Sequence, residues 1–179
     1  TGASAGSDSL ITQVLTNSGS TDGTAAYTII PTANSCIGTS GTVVVTVNPL
    51  PVVTIIPTIQ SICSGDSTNL SLSSNVNNTF YTWTVVQSGA TGALPDSGSY
   101  IAQLLNFTGS PGTATYSVTG TAGFCTGTAT DVTVTVNPQP LITDVNKTDV
   151  TICGGSDGTI SITASGFAPL SYSVDSGIN

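Results

Sequence analysis

The sequence predicts an all-β protein made of tandem β-sandwich modules, and three observations lead to this fold class. Strong helix formers are scarce, because the 179 residues contain no Glu, Met or Arg and Lys147 is the only basic residue. Short segments rich in Val, Ile, Thr and Tyr alternate with turns rich in Gly, Asn, Ser and Pro. Finally, one sequence cassette occurs twice at a domain-sized spacing, which is typical of a modular array.

The repeated cassette combines a cysteine turn, a strand and a prolyl stop. Residues 36–49 are C-I-G-T-S-G-T-V-V-V-T-V-N-P, and residues 125–138 are C-T-G-T-A-T-D-V-T-V-T-V-N-P. Cys36 and Cys125 lie 89 positions apart. A period of this length is that of a whole domain and is too long for a solenoid repeat.

The first segment, residues 1–50, contains predicted strands over 10–15, 24–30 and 42–47. The prolines of Asn48-Pro49-Leu50-Pro51 end the last strand, since proline cannot donate a hydrogen bond to a sheet. The segment matches only the later part of the chain's middle region. We therefore expect it to be the C-terminal half of a module whose first half lies upstream of Thr1.

The middle segment, residues 51–140, has strand patterns along its whole length. Predicted strands lie over residues 52–56, 61–63, 68–73, 80–86, 100–106 and 113–118, followed by the second cassette. About seven short strands separated by turns in roughly 90 residues predict a complete sandwich of the immunoglobulin type.

The last segment, residues 141–179, repeats the start of the middle segment. Its T-I-C-G-G-S-D-G-T-I-S-I-T resembles S-I-C-S-G-D-S-T-N-L-S-L-S, which places Cys153 in the position of Cys63. We expect this segment to be the N-terminal part of a third module.

The four cysteines predict one disulfide within the chain. Cys63 and Cys125 are the only two in the complete module, so we expect them to pair, with Cys36 and Cys153 unpaired within the segment. A loop of about 60 residues would give roughly 4 kcal/mol and indicates an oxidising, extracytoplasmic setting. Metal ligation and free buried thiols are the alternatives; the absence of His and of any C-x-x-C pair disfavours metal.

Three aromatic residues are predicted to serve the core. Trp83 follows Cys63 by 20 positions, as the core tryptophan of an immunoglobulin sandwich follows its first cysteine. Tyr27 and Tyr116 precede the two cassettes at equivalent positions, which favours a structural role for both. The alternative for Trp83 is an aromatic platform on which a sugar stacks.

Composition excludes several function classes. The net charge of −8 with a single Lys disfavours nucleic acid partners, and no apolar run approaches the roughly 20 residues of a membrane span. No His or Glu is present to act as a general base, so we expect no enzyme activity and no cofactor. Calcium at module junctions is the one metal considered, with oxygen ligands from Asp144 with Asp149 or from turn residues such as Asp66 and Asp157.

Two family resemblances follow from these motifs. The V-T-V-N-P-x-P segment, the I-x-Q-x-L strand, the Y-x-V strand and the C-x-G turn resemble the PKD-like repeats of very large Bacteroidetes surface proteins. Residues 141–179 are similar to the SprB repeat of gliding-motility adhesins, although Phe167-Ala168 departs from its usual Gly-Thr-Pro approach. The resemblance implies export by the type IX secretion system and display at the cell surface. It also implies candidate O-glycosylation at Ser9 and Ser67, which follow aspartates as in Asp-Ser-Leu and Asp-Ser-Thr.

These observations predict a non-enzymatic function at the cell surface. We expect a structural and adhesive segment of a long extracellular fibre, with neighbouring modules, surface glycans or other fibre subunits as partners. The alternative is an accessory polysaccharide-binding or spacer array of a secreted multidomain hydrolase. That alternative requires exposed rings, such as Tyr81 or Tyr100, that form a flat strip.

Overall fold

The structure, a computed structural model, describes residues 2–110 and 112–173, and its regular elements are strands. Within those residues there are 17 strands and no helix. The all-β, immunoglobulin-like fold class predicted from the sequence is confirmed. The ends of the first and third predicted segments, Thr1 and residues 174–179, lie outside the described residues.

The strands fall into three groups along the chain. The first segment contains β1 (Gly23–Ile29), β2 (Thr32–Ala33), β3 (Cys36–Ile37) and β4 (Gly41–Val47). The middle segment contains β5 (Val53–Ile56), β6 (Gln60–Cys63), β7 (Leu70–Ser74), β8 (Phe80–Ser88), β9 (Ala90–Thr91), β10 (Asp96–Ser97), β11 (Tyr100–Ile101), β12 (Asn106–Phe107), β13 (Thr113–Ala122), β14 (Cys125–Thr126) and β15 (Thr130–Asn137). The last segment contains β16 (Leu141–Thr148) and β17 (Thr159–Ser165). Every sheet of the described residues lies within one of these segments.

The middle segment forms the sandwich. Its larger sheet has the order β10-β8-β13-β15-β6, with β14 attached to β13, and its smaller sheet has the order β11-β7-β5. Neighbours in both sheets are antiparallel except β6, which joins β15 in parallel. The parallel edge strand places Cys63 beside Asn137 at the end of the module.

Strict alternation along the strands builds the core. Val132, Val134 and Val136 of β15 and Ala114, Tyr116 and Val118 of β13 point inward and are buried. Residues between them are less buried, as expected for a pleated sheet with one face on the core. Each fully buried large apolar side chain contributes about 1.5–3 kcal/mol. Tyr81 and Trp83 of β8, also in the larger sheet, belong to the same core. The core also contains residues of the smaller sheet and of the connections: Val53, Ile55, Leu70, Leu72, Ala90, Ala93, Ile101 and Leu105.

The first and last segments reproduce two different parts of this sandwich. In β1–β4, Tyr27 lies opposite Val43, as Tyr116 lies opposite Val132 in β13–β15. In β16–β17, Val145 lies opposite Ile162, just as Ile55 lies opposite Leu72 in β5–β7. The first segment therefore has the hairpin of the larger sheet, and the last segment has the strand pair of the smaller sheet.

Candidate functional site

A polar clamp around Gln103 anchors the centre of the middle module. The Gln103 Oε1 accepts hydrogen bonds from the Tyr116 hydroxyl (3.0 Å) and from the Leu94 backbone N–H (3.0 Å). Its Nε2 donates to the Leu94 carbonyl (2.9 Å), so one amide satisfies three groups. A buried tyrosine hydroxyl requires such a partner, because leaving it unpaired would cost the desolvation energy of the hydroxyl.

The same clamp occurs in the first segment. The Tyr27 hydroxyl donates to Gln13 Oε1 (2.9 Å), which also accepts from the Ser4 N–H (3.0 Å), and Gln13 Nε2 donates to the Ser4 carbonyl (2.6 Å). Sequence reasoning identified the two tyrosines and missed their glutamine partners. The signal was present, since both copies carry Gln within the strand predicted before the tyrosine, although neither Gln13 nor Gln103 lies in a strand of the structure. The clamp is thus a structural feature of the repeat.

Burial makes the Tyr116 hydroxyl hard to ionise. Tyr116 has no exposed surface, and desolvation raises its pKa to about 12, partly opposed by hydrogen bonding with Thr68. Desolvation also raises the pKa of Tyr81, which is opposed by the Thr79 side chain. Both hydroxyls are neutral at physiological pH and act in packing and hydrogen bonding.

The structure places Trp83 in the core and buries one of the rings that the polysaccharide-binding alternative requires at the surface. Trp83 is 5% exposed, and its Nε1 donates to the Leu94 carbonyl (3.1 Å), so its ring offers no sugar platform. Tyr81 is 9% exposed because it lies on the inner face of β8, two residues before Trp83. Tyr100 is exposed, and its hydroxyl donates to Asn69 Oδ1. Of the two rings named for the polysaccharide-binding alternative, Tyr81 is thus buried and Tyr100 is exposed.

The predicted disulfide between Cys63 and Cys125 is corrected by the strand register. Cys63 lies opposite Asn137, beyond the Thr113 end of β13, whereas Cys125 lies opposite Ala122 at the other end of β13. The ten residues of β13 make nine steps between these ends, about 30 Å at about 3.3 Å per step. A disulfide needs Cα atoms within about 7 Å. Both thiols are free in the structure.

Each cysteine instead marks one end of a module. Cys125 belongs to the short β13–β14 hairpin near Pro51, where the middle module begins, and Cys36 belongs to the equivalent β2–β3 hairpin. Cys63 lies at the end where the module finishes, with the Ser64 N–H donating to the Asn137 carbonyl (2.7 Å). Cys36 and Cys153 are free and exposed.

The aspartates considered for calcium serve their own turns and neighbours. Asp66 accepts from the Cys63 N–H (3.2 Å), and Asp149 pairs with Lys147 at 2.8 Å. Hydrogen bonds from the Thr151 side chain and backbone lower the pKa of Asp157. Asp144 accepts from Asn146 Nδ2 (2.6 Å). Among residues 2–110 and 112–173 no three His, Cys, Asp or Glu side chains group as metal ligands.

The two candidate glycosylation residues are accessible. Ser9 and Ser67 are both exposed, and Ser67 forms a β-bridge with Leu104 through its backbone. This position leaves the Ser67 side chain at the surface. Accessibility is compatible with modification, which stays a prediction.

Specific contacts hold adjoining segments together at both ends of the middle module. At the first junction Asn75 Oδ1 accepts from the Val52 N–H (2.7 Å), and Asn75 Nδ2 donates to the Gly19 carbonyl (3.2 Å). At the second junction the rings of Phe107 and Phe167 meet edge to face, with centroids 6.1 Å apart. Asn75 and Phe167 follow the equivalent strands β7 and β17. Gly19 and Phe107 precede β1 and β13, the strands that carry the two tyrosines of the clamp.

Three surface depressions lie in the first and last segments. One of about 190 Å³ is lined by residues that include Leu15 and Val47, and one of about 170 Å³ by residues that include Ile162 and Leu170. A third, of about 530 Å³, lies beside the Lys147–Asp149 ion pair. They lie on or beside strand pairs that have no second sheet over them in the described residues.

Comparison with protein families agrees with this architecture. The chain matches the PKD-like domain family over residues 1–51 and 60–140, and it belongs to that family. Membership indicates a structural or adhesive immunoglobulin-like module of a typically non-catalytic class. No curated protein matches the chain. Across the residues that the structure describes, no helix has the length and apolarity needed to cross a membrane.

Proposed function

We propose that this chain is a non-enzymatic segment of an extracellular surface fibre built from tandem PKD-like modules. The observation that carries the proposal is the repeated tyrosine–glutamine clamp, which recurs with the same hydrogen bonds in two successive copies. Because the geometry that recurs within the chain is structural, the repeat preserves the module itself and not a ligand site. A repeated module of this kind functions through length, spacing and multiplicity.

The junctions support a mechanical role. Five residues, 48–52, separate β4 from β5, and three residues, 138–140, separate β15 from β16. Both linkers contain two prolines, which favour extended and semi-rigid connections. Together with the Asn75 and Phe107 contacts, these linkers would transmit force and hold successive modules in line.

The cellular setting is proposed from the sequence resemblance. We place the fibre outside the cell, delivered by the type IX secretion system of gliding bacteria, with O-glycans on Ser9 and Ser67. Its partners would be neighbouring modules, surface glycans or other fibre subunits, and tandem copies of a weak site would add by avidity. The burial of Tyr81 and Trp83 disfavours the alternative of a glycan-binding accessory array in a hydrolase.

The test is the location and size of the native polypeptide. Peptides from residues 52–137 should be recovered from the surface fraction after protease shaving of intact cells, in a chain that carries many further cassettes. A short cytoplasmic chain would contradict the proposal, as would a chain in which these modules flank a catalytic domain. A variant with Ser9→Ala and Ser67→Ala should lose glycan mass and keep its surface location.

A further inference from the structure

The chain enters and leaves the middle module at opposite ends of the sandwich. The Thr130 hydroxyl, at the start of β15, donates to the Val53 carbonyl at the start of β5 (3.3 Å), so both strands begin at the end where the chain enters. The chain leaves after Asn137, which lies opposite Cys63 at the other end. A force that pulls on both linkers therefore acts along the length of the sandwich.

The segment from Val53 to Cys63 crosses the module in the same direction as β15. It forms β5 in the smaller sheet, passes through residues 57–59, and forms β6 at the edge of the larger sheet. Strand β6 pairs with β15 in parallel over four residue pairs, the last of which joins Cys63 and Asn137. The first and last strands of the larger sheet in chain order are thus direct neighbours.

This parallel pair is loaded in shear when the two linkers are pulled apart. Pulling on Val52 draws β5 and β6 towards the entry end, and pulling on Pro138 draws β15 towards the exit end. The two strands of the pair are then forced to slide along their common direction, so the evenly spaced hydrogen bonds between them share the load. Strands pulled apart from the same end would instead separate one residue pair at a time, at a lower force.

Asn137 fastens this pair at the end where the chain leaves. Its Nδ2 donates to Ser61 Oγ of β6 (2.8 Å), and its carbonyl accepts from the Ser64 N–H (2.7 Å). The Ser64 hydroxyl in turn accepts from the Phe107 N–H (3.0 Å), which connects these residues to β12. Asn137, Ser61 and Ser64 are referred to below as the exit latch.

The core resists the sliding of β6. Ile62 packs against the buried residues of the sandwich, and Val134 and Val136 on the neighbouring strand have almost no exposed surface. Moving β6 past β15 would therefore expose apolar side chains as well as break hydrogen bonds. The entry end is also held, because the Val52 N–H donates to Asn75 Oδ1 (2.7 Å).

The exit latch gives a role to the Asn-Pro pair that closes the second cassette. Proline restricts the residue before it to extended backbone, so Pro138 holds Asn137 in line with β15. Pro138 also lacks an N–H, and the ladder of β15 ends at Asn137. The Asn-Pro pair thus marks the point at which force passes from the linker into the sheet.

We infer that β6, β15 and the exit latch form a force-bearing pair that sets how long the middle module withstands tension between its linkers. The inference deepens the proposed mechanical role and rests on that function only for the source of the tension. The force-bearing pair itself lies wholly within the middle module.

The test is single-molecule force spectroscopy on the chain of residues 1–179, held by its two ends at constant force. Unfolding of residues 53–137 is recognised by its length, because chain extended at about 3.3–3.6 Å per residue releases roughly 300 Å. Lifetimes under force report the unfolding rate. Ser61→Ala and Asn137→Ala should each shorten the lifetime of the folded module about threefold to tenfold, through one lost hydrogen bond. The double variant should lose no more than Asn137→Ala alone.

Thr133→Val is the matched control on the same strand. It removes an exposed hydrogen bond between the Thr133 and Thr115 hydroxyls (2.9 Å), which joins β15 to β13 and does not involve β6. Its lifetime under tension should equal that of the original chain. Urea midpoints followed by Trp83 fluorescence should be similar for Thr133→Val and Asn137→Ala, so a difference in lifetime reports the position of the bond and not general stability.

The direction of pulling provides a second test. With Cys36, Cys125 and Cys153 replaced by Ser, handles on the native Cys63 and on Gln139→Cys pull β6 and β15 apart from the same end. This arrangement loads the residue pairs one after another. We expect it to unfold the module at a lower force than end-to-end pulling at the same loading rate.

Equal unfolding forces in the two pulling geometries would overturn the inference. An unchanged lifetime in Asn137→Ala, or one that falls equally in Thr133→Val, would overturn it as well. None of these results concerns where the protein is located, which protease shaving measures. A cytoplasmic location would refute the proposed fibre and leave the measured resistance of the force-bearing pair unchanged.

Discussion

At the residue scale, a single amide links the core to the loop that closes it. Gln103 bonds both the buried Tyr116 hydroxyl and the Leu94 backbone, and Trp83 bonds the same Leu94 carbonyl. Hydrogen bonds thus connect the tyrosine, the glutamine and the loop. Among the described residues, no buried polar side-chain atom lacks a hydrogen-bond partner. Such a network favours one packing of the core because every alternative leaves a donor unsatisfied.

Alkaline pH should destabilise the middle module through Tyr116. Its pKa is about 12 in the folded state against 10.0 for an ordinary tyrosine, so the unfolded state loses its proton first. Stability is retained below pH 10 and falls as pH rises towards 12, by up to about 3 kcal/mol. Urea denaturation followed by Trp83 fluorescence from about pH 8 to 12 measures this loss.

Tyr116→Phe provides the test of that assignment. The variant should be less stable at neutral pH by about 1–2 kcal/mol, through the lost hydrogen bond, and should show a smaller alkaline decrease. Tyr27→Phe removes the matching hydroxyl from the first segment and should leave the Trp83 transition unchanged. An equal alkaline decrease in Tyr116→Phe would refute the role assigned to this hydroxyl.

At the element scale, the order of strands in the sheet explains the positions of the two cysteines of the middle module, which their order in the sequence does not predict. The parallel pairing of β6 with β15 carries Cys63 to the end of the module where the chain leaves, while the β13–β14 hairpin carries Cys125 to the end where the chain enters. Each cysteine is thereby directed towards a neighbouring module. The structure consequently stabilises the sandwich by packing and hydrogen bonding, with no cross-link between its cysteines.

Removing the cysteines of the middle module should have little effect on its stability. Cys63→Ser and Cys125→Ser should each change the free energy of unfolding by less than about 0.5 kcal/mol, as exposed or half-buried substitutions do. The urea midpoint of the original chain should be the same with and without reductant. A loss of about 2–5 kcal/mol on reduction would instead reveal a disulfide and contradict the register.

A glycine in the second cassette permits close approach of the entering chain. A Cβ at Gly127 would lie 2.0 Å from the Pro51 carbonyl oxygen, and the Gly127 N–H donates to the Gly120 carbonyl (2.9 Å). Gly127→Ala should therefore destabilise the middle module by about 1–3 kcal/mol, because backbone atoms must move. Gly109→Ala is the matched control, since nothing lies within 4 Å of its Cβ position. Equal urea midpoints for the two variants would disprove the steric role of Gly127.

At the scale of the whole molecule, short linkers and small contacts set how modules follow one another. Asn75 bonds Gly19 across the first junction, and Phe107 meets Phe167 across the second. Phe107 also packs against the core of the middle module, so the second junction is continuous with that core. These contacts are small, and relative motion of modules is the expected consequence of weakening them.

Phe167→Ala should loosen the second junction without unfolding the middle module. Removing one ring of an edge-to-face pair loses about 0.5–1.5 kcal/mol and the packing that restricts the angle between segments. Small-angle scattering of the variant should show a broader distribution of maximum dimensions than that of the original chain. The Trp83 transition should be unchanged. A lower urea midpoint would show that Phe167 supports the middle module itself.

Several properties followed from the sequence alone because they depend on local pattern and repetition. The absence of helix formers and the alternation of Val with Thr predicted strands, and the repeated cassette predicted the PKD-like modules. Tyr27 and Tyr116 were identified as structural because equivalent residues in a repeat share their environment. The core position of Trp83 was predicted from its spacing after Cys63.

Tertiary structure alone decided the rest, because it depends on which distant strands become neighbours. The parallel position of β6 separates Cys63 from Cys125, and the loop over the core brings Leu94 to Gln103 and Trp83. The burial of Tyr81 likewise depends on the second sheet, whose strands β5 and β7 close the core. Sheet order is set by long-range packing, and no spacing between residues in the sequence encodes it directly.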